Sequence, residues 1–107
     1  MPKDVVNNPY IRIDTFDAEQ LPVEKVSAGD GFSLFLTRQG QVYSCGRGNF
    51  GRLGQFHTTS LNTPAKIEYF TKYKVRVKDI CAGGRHSMAI SDEQFPQVYS
   101  WGMGFYR

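Results

Sequence analysis

Polar and apolar side chains alternate through Lys74-Val75-Arg76-Val77-Lys78, the two-residue period of a pleated strand. Short apolar stretches bounded by glycine, proline or polar residues recur along the rest of the chain. They predict four strands at 10–13, 23–28, 33–37 and 41–45, and four more at 65–68, 75–82, 87–91 and 97–101. Arg38-Gln39-Gly40-Gln41 reads as a tight hairpin turn, with Gly40 available for positive φ. Gln94-Phe95-Pro96-Gln97 fills the corresponding place in the second set and is two residues longer. No segment carries the apolar stripe of a helix.

The two sets of strands are copies. A shift of 54 positions lays Pro9–Thr37 on Thr63–Ser91 without a gap, matching Ile13 with Ile67, Phe16 with Phe70, Val26 with Ile80 and Ala28-Gly29 with Ala82-Gly83. After the two-residue insertion, Val42-Tyr43-Ser44-Cys45-Gly46 falls on Val98-Tyr99-Ser100-Trp101-Gly102. A period of this size belongs to solenoids, propellers and arrays, whose units cannot bury their own apolar faces alone. Four strands, a glycine-rich loop and four strands again describe an all-β chain with two four-stranded antiparallel blades of a partial β-propeller. The division is 1–8 as a lead-in, 9–62 as the first repeat and 63–107 as the second, cut short at its C-terminal end. Leu34, Leu36, Val42 and Tyr43 in one blade, and Met88, Ile90, Val98 and Trp101 in the next, are the expected core.

Composition fits this reading. Apolar residues make up 40% and aromatic residues 14%, too many for a disordered chain. No apolar run is long enough to span a membrane. Met1-Pro2-Lys3-Asp4 carries no apolar signal region, which points to an intracellular protein. Cys45 and Cys81 stand at non-equivalent repeat positions and are expected to be buried free thiols in a reducing compartment.

The repeat has a recognisable text. Each unit runs through an isoleucine strand, a V-x-x-Ala-Gly step, a serine-containing apolar strand and Val-Tyr-Ser-Cys/Trp-Gly-x-Gly. The first copy continues Asn49-Phe50-Gly51-Arg52-Leu53-Gly54, and the second carries Ala82-Gly83-Gly84-Arg85-His86-Ser87-Met88-Ala89-Ile90. Over residues 9 to 107 this resembles the regulator of chromosome condensation repeat, the unit of seven-bladed propellers. Phe32 stands where that unit usually has histidine, and Cys45 where it usually has tryptophan. WD repeats would need a Trp-Asp ending, and the Gly-Arg-Leu-Gly ending speaks against kelch.

Candidate chemistry is thin. Gly46-Arg47-Gly48-Asn49-Phe50-Gly51 matches G-x-G-x-x-G, but the polar, turn-like Gln55–Ser60 follows instead of a helix, so the glycines serve a tight loop and no dinucleotide. Arg85-His86-Ser87 sets a base beside a hydroxyl, yet neighbours on a strand point to opposite faces, so His86 reads as a core or loop-anchoring side chain. His57 stands alone in a polar loop. Cys45, Cys81, His57 and His86 have no metal-ligand spacing. Trp101 reads as a blade-packing aromatic. No catalytic, cofactor or metal site is expected.

Charge is uneven: residues 1–30 carry six acids and three bases, a balance of −3, and the remainder ten bases and four acids, +6, together the chain's +3. The densest basic stretch holds Lys66, Lys72, Lys74, Arg76 and Lys78, with Tyr69, Phe70 and Tyr73 interleaved, and Lys72, Lys74, Arg76 and Lys78 are the candidate partner contacts. It could touch nucleic acid or an acidic protein face, but no nucleic-acid motif accompanies it, so it reads first as the solvated side of a strand and its approach loop, with Val75 and Val77 pointing inward. The expected role is a non-catalytic platform for other proteins, or for the remaining blades of its own propeller. The resemblance also implies an alternative, part of a guanine-nucleotide exchange factor acting on a small GTPase and binding chromatin.

Overall fold

The computed structural model describes residues 12–103. Strands β1 (Val23–Ala28), β2 (Phe32–Thr37), β3 (Val42–Gly46) and β4 (Leu61–Lys66) form one antiparallel sheet in that order. Strands β5 (Val77–Ala82), β6 (His86–Ser91) and β7 (Val98–Gly102) form a second, three-stranded among the described residues. The sheets are two propeller blades laid face to face. Middle strand β2 is apolar on both faces because both faces are covered, so it reads as a continuous run rather than an alternation.

Strand placement departs from the sequence reading at two points. Arg12 and Ile13 lie in no strand, and Tyr10 and Ile11 fall outside the described residues. The strand expected at 65–68 instead runs Leu61–Lys66 and pairs backwards with β3, placing Tyr43 opposite Lys66 and Ser44 opposite Ala65. The second repeat thus begins with residues that complete the first blade. Single-chain periodicity shows the repeat but not which sheet a strand joins.

Two short helices were also illegible. α1 (Thr15–Ala18) and α2 (Glu68–Lys72) are too short to write a stripe of their own. Each buries one phenylalanine, Phe16 or Phe70, and each ends in a left-handed residue, Gln20 at φ 54° or Lys74 at φ 57°. The chain then turns back through the same hydrogen bond, Leu21 N to Phe16 O and Val75 N to Phe70 O. The left-handed turn delays β5 to Val77, two residues later than expected. The bulge between Val23 and Lys25 recurs between Val77 and Asp79. Repetition therefore extends to local irregularities.

The hairpins keep the expected turns. Gly40 sits at φ 85°, and the Thr37 hydroxyl accepts from the Gln41 N–H; Ser91 accepts from the Gln97 N–H in the longer second turn.

The core lies between the sheets. Leu34, Leu36, Val42 and Leu53 on the first blade meet Ile67, Phe70, Val77, Ile80 and Ala89 on the second. A smaller cluster of Phe16, Phe35 and Tyr43 covers the far face of the first blade. Four repeat-equivalent pairs show which surfaces the stacking leaves open. Exposure is 56% at Val26 against 2% at Ile80, 39% at Met88 against 0% at Leu34, and 63% at Val98 against 0% at Val42. Ile13 is 47% exposed and its counterpart Ile67 2%. Met88 and Val98 are therefore not the core residues expected of them, and Ile90 and Trp101 are only half-buried. Met88, Ile90 and Val98 occupy the outer face of the second blade, which nothing covers among the described residues.

Candidate functional site

The loop from Gly46 to Ser60 builds the seam between the blades and the cleft at its rim. Gly46 opens it at φ 108°, where a Cβ would lie 2.4 Å from the Gly31 carbonyl oxygen. Arg47 N donates to Gly31 O, and the Ser60 hydroxyl accepts from Gly48 N. One 3-10 turn spans Asn49–Gly51, and no helix follows the third glycine, so the G-x-G-x-x-G match is a structural loop. Arg52 and Leu53 then wedge between the sheets, both fully buried. The Arg52 guanidinium donates from Nε to Asn49 O and from Nη1 to Asp30 O, with the Phe32 and Phe50 rings 5.6 and 5.8 Å from it. Carbonyls satisfy its donors in place of a carboxylate.

The wedge is tied to both blades. Leu53 O accepts from the Ser44 hydroxyl at 2.7 Å on the first sheet. Arg52 O accepts from the Ser87 hydroxyl and from Trp101 Nε1, each at 3.0 Å, on the second. Trp101 thus joins the blades, as expected, while one side of its ring stays at the surface. Ser87 is turned toward Arg52 and away from His86, which lies exposed over Gly83; the two make no base–hydroxyl pair. His86 is exposed and is not a core residue.

Beside the wedge opens a cleft of about 560 Å³, its walls mostly Phe50, Phe56, Tyr69, Tyr99 and Trp101. Tyr99, Ser100 and Trp101 are consecutive in β7 and all line it, so the cleft runs along that strand's edge. Phe50 and Phe56 are exposed and held at φ 65° and 62°, a left-handed conformation that costs a non-glycine residue about 1–2 kcal/mol. Those two phenylalanines had no signal in the sequence beyond their place in a loop. His57 closes one end, its Nδ1 accepting from Thr59 N.

The basic residues lie at the end of α2 and beyond it, and none of them lines the cleft. Lys72 ends the helix near the Tyr73 ring, Lys74 occupies the left-handed turn, and Lys78 lies on β5; all three are exposed. Arg76 is engaged within the fold. Its Nε bonds Asp92 at 3.3 Å and its Nη2 donates to Arg38 O, linking the hairpins of the two blades. No group of three or more potential metal ligands exists among the described residues. Both cysteines are free: Cys45 is half-buried, and burial pushes its thiol up, whereas Cys81 is exposed rather than buried as expected. Tyr43 is also pushed up, by burial first and then by Glu19 and Glu68.

Two models of the regulator of chromosome condensation repeat match the sequence, at residues 39–90 and 23–52. The chain is 39% identical over 84 residues to a bifunctional serine/threonine-protein kinase/NEDD4-like E3 ubiquitin-protein ligase of Dictyostelium discoideum, covering 78% of this chain and 4% of that protein. It is 36% identical over 83 residues to a secretion-regulating guanine nucleotide exchange factor of Bos taurus, covering 77% of this chain and 17% of the relative. Among solved structures, human WBSCR16 superposes with a TM-score of 0.72 at 31% identity, over 86% of this chain and 22% of that one. The chain therefore spans a small fraction of the proteins it matches. Two matching repeat models, a blade pair with repeated caps and bulges, and the Gly-Arg-Leu-Gly wedge place the chain in the regulator of chromosome condensation repeat family.

Proposed function

We propose that this chain is a non-catalytic propeller segment that serves as a docking platform for other proteins in a larger intracellular assembly. One observation carries the reading: Phe50 and Phe56 stand exposed on left-handed backbone at the mouth of an aromatic cleft. Strained, exposed apolar residues persist where a partner uses them. Lys72, Lys74 and Lys78 add a basic shoulder for an acidic partner, and Arg76 holds the blades beneath it. An exposed free thiol at Cys81 suits a reducing compartment. Affinity capture from the source cells, repeated with the Phe50→Asp/Phe56→Asp variant, tests the platform. The same proteins should be lost from the variant while its folding is unchanged; an identical captured set would overturn the reading.

A second reading, a part of an exchange factor for a small GTPase, draws on the 36% identity to the bovine exchange factor. It predicts faster release of a fluorescent GDP analogue from a small GTPase when this chain is added. Unchanged release would remove it.

A further inference from the structure

The two ends of the blade seam differ in charge. At one end β1, β3, β5 and β7 finish and β2 and β6 begin, which gathers residues 29–31, 46–52 and 83–85 there. Hydrogen bonds fix them: Arg47 N donates to Gly31 O within the first blade, and Asp30 N to Gly84 O across the seam. Three arginines, Arg47, Arg52 and Arg85, stand at this end with one acid, Asp30. Asp14, Asp17, Glu19, Glu68, Asp92 and Glu93 all lie at the other end, in or beside the two helices and in the second hairpin turn.

None of these three guanidinium groups pairs with a carboxylate among the described residues. Arg52 is fully buried, and its hydrogen-bond acceptors are the carbonyls of Asn49 and Asp30. Carbonyls satisfy its donors but leave its charge uncancelled, and little water screens a charge held inside the fold. Arg47 is exposed and lies along Gly31, where a Cβ would come 3.5 Å from the Arg47 Cβ and 3.6 Å from its Nε. Gly31, at φ 75°, both makes the turn and leaves room for that side chain. Arg85 is exposed as well. Its guanidinium meets the Met103 sulfur, a weak acceptor 3.9 Å from Nη1.

We propose that this end of the seam binds an acidic segment of a partner protein, whose Asp or Glu carboxylates are held by the Arg47 and Arg85 forks. An arginine takes a carboxylate through two parallel N–H···O bonds, so two fixed arginines read position as well as charge. Arg52, beneath the Asp30-Gly31 turn, contributes field rather than contact. Asp30 belongs to the turn between the two forks and repels whatever anion arrives. That repulsion grows with the anion's charge, so it weighs more on a phosphate dianion than on a carboxylate. Two exposed arginines are also far fewer than the cations that track a nucleic-acid backbone. A carboxylate-bearing peptide is therefore the occupant that the charge arrangement favours.

The inference goes beyond the platform reading, since it uses neither Phe56 nor the lysines of α2 and β5, and either can fail without the other. Fluorescence anisotropy of a labelled hexaglutamate peptide, titrated with the full chain at low salt, tests it. Binding should fall at about 10–500 μM and weaken as salt rises. Arg47→Gln and Arg85→Gln, both at exposed positions and checked for folding by circular dichroism, should each weaken it about tenfold. Arg47→Lys/Arg85→Lys keeps the charge, loses the forks, and should weaken it at least about threefold. Asp30→Asn should tighten binding about two- to fivefold, a gain that damage to the fold does not produce. Should an arginine variant fail to fold, that gain decides. Lys72→Gln/Lys74→Gln should bind like wild type. No binding by the wild type, no gain in Asp30→Asn, full binding by the double-lysine variant, or equal losses in the Lys72/Lys74 and arginine variants would each overturn the proposal. A phosphopeptide or single-stranded oligonucleotide that binds more tightly than hexaglutamate through the same arginines would overturn it too, by assigning this end to phosphate.

Discussion

Lys25 and Asp79 occupy one position of the repeat with opposite charges and meet across the blade seam, Nζ to Oδ1 at 2.5 Å. Both side chains are about half exposed, so the pair contributes at most about 1 kcal/mol. The hydrogen bond from Lys25, followed by one from the Ile80 N–H, holds the Asp79 carboxyl below the usual carboxylate range. A folded-state value below the unfolded one means the contribution is fully present above about pH 4 and fades as pH falls through the folded value. Lys25→Ala should therefore be less stable than wild type in urea at pH 6, and the difference should shrink toward pH 2. An undiminished difference at pH 2 would mean that packing of the lysine stem, rather than charge, explains the loss.

The buried Arg52 anchors the loop through two carbonyls and two rings. Lysine at that place keeps the charge but cannot reach Asn49 O and Asp30 O with one planar fork. Arg52→Lys should cost about 1.5–3 kcal/mol, the range for hydrogen bonds to a charged group. Leu53→Ala, at the centre of the seam, should cost about 2–5 kcal/mol. Urea unfolding checks both, and a lysine variant as stable as wild type would remove the fork from the account.

Much of this fold was legible because the repeat is written twice. β1, β2, β3, β6 and β7 fall where alternation and turns put them, within about a residue. What stayed hidden depends on contacts between repeats. Leu61–Lys66 belongs to the earlier sheet, and nothing local distinguishes a strand that opens one unit from one that closes another. Met88 and Val98 look as apolar as Leu34 and Val42, and only the order of stacking exposes the one pair and buries the other. The basic residues were visible as charge, but Arg76 proved to be a link between hairpins once Asp92 and Arg38 came near it. Phe50 and Phe56 drew no notice because their left-handed backbone leaves no mark on composition.

The two thiols should differ in reactivity. Cys81 is exposed, whereas burial pushes the Cys45 thiol up and lowers its thiolate fraction at neutral pH. A dilute sample treated with a thiol reagent should show one fast and one slow reaction. Cys81→Ser should abolish the fast phase alone, and raising the pH should speed the slow one. Fast modification surviving in Cys81→Ser would place Cys45 in solvent and contradict its packing beside Phe35 and Tyr43.

Trp101 is the chain's single tryptophan, so its fluorescence reports directly on the seam. The indole donates to Arg52 O, packs 5.7 Å from the Phe70 ring, and leaves part of its surface to the cleft. Trp101→Phe keeps an aromatic ring but removes the donor, and should cost about 1 kcal/mol because Ser87 still bonds the same carbonyl. Trp101→Ala removes the ring as well. Full burial would make that about 3–5 kcal/mol, and half-burial brings the expected loss down to about 2–4. Urea midpoints for the three proteins separate the donor from the packing. A loss under about 1 kcal/mol for the alanine variant would show that the ring adds little to the seam. Trp101 would then be an aromatic wall of the cleft, available for stacking against a bound partner.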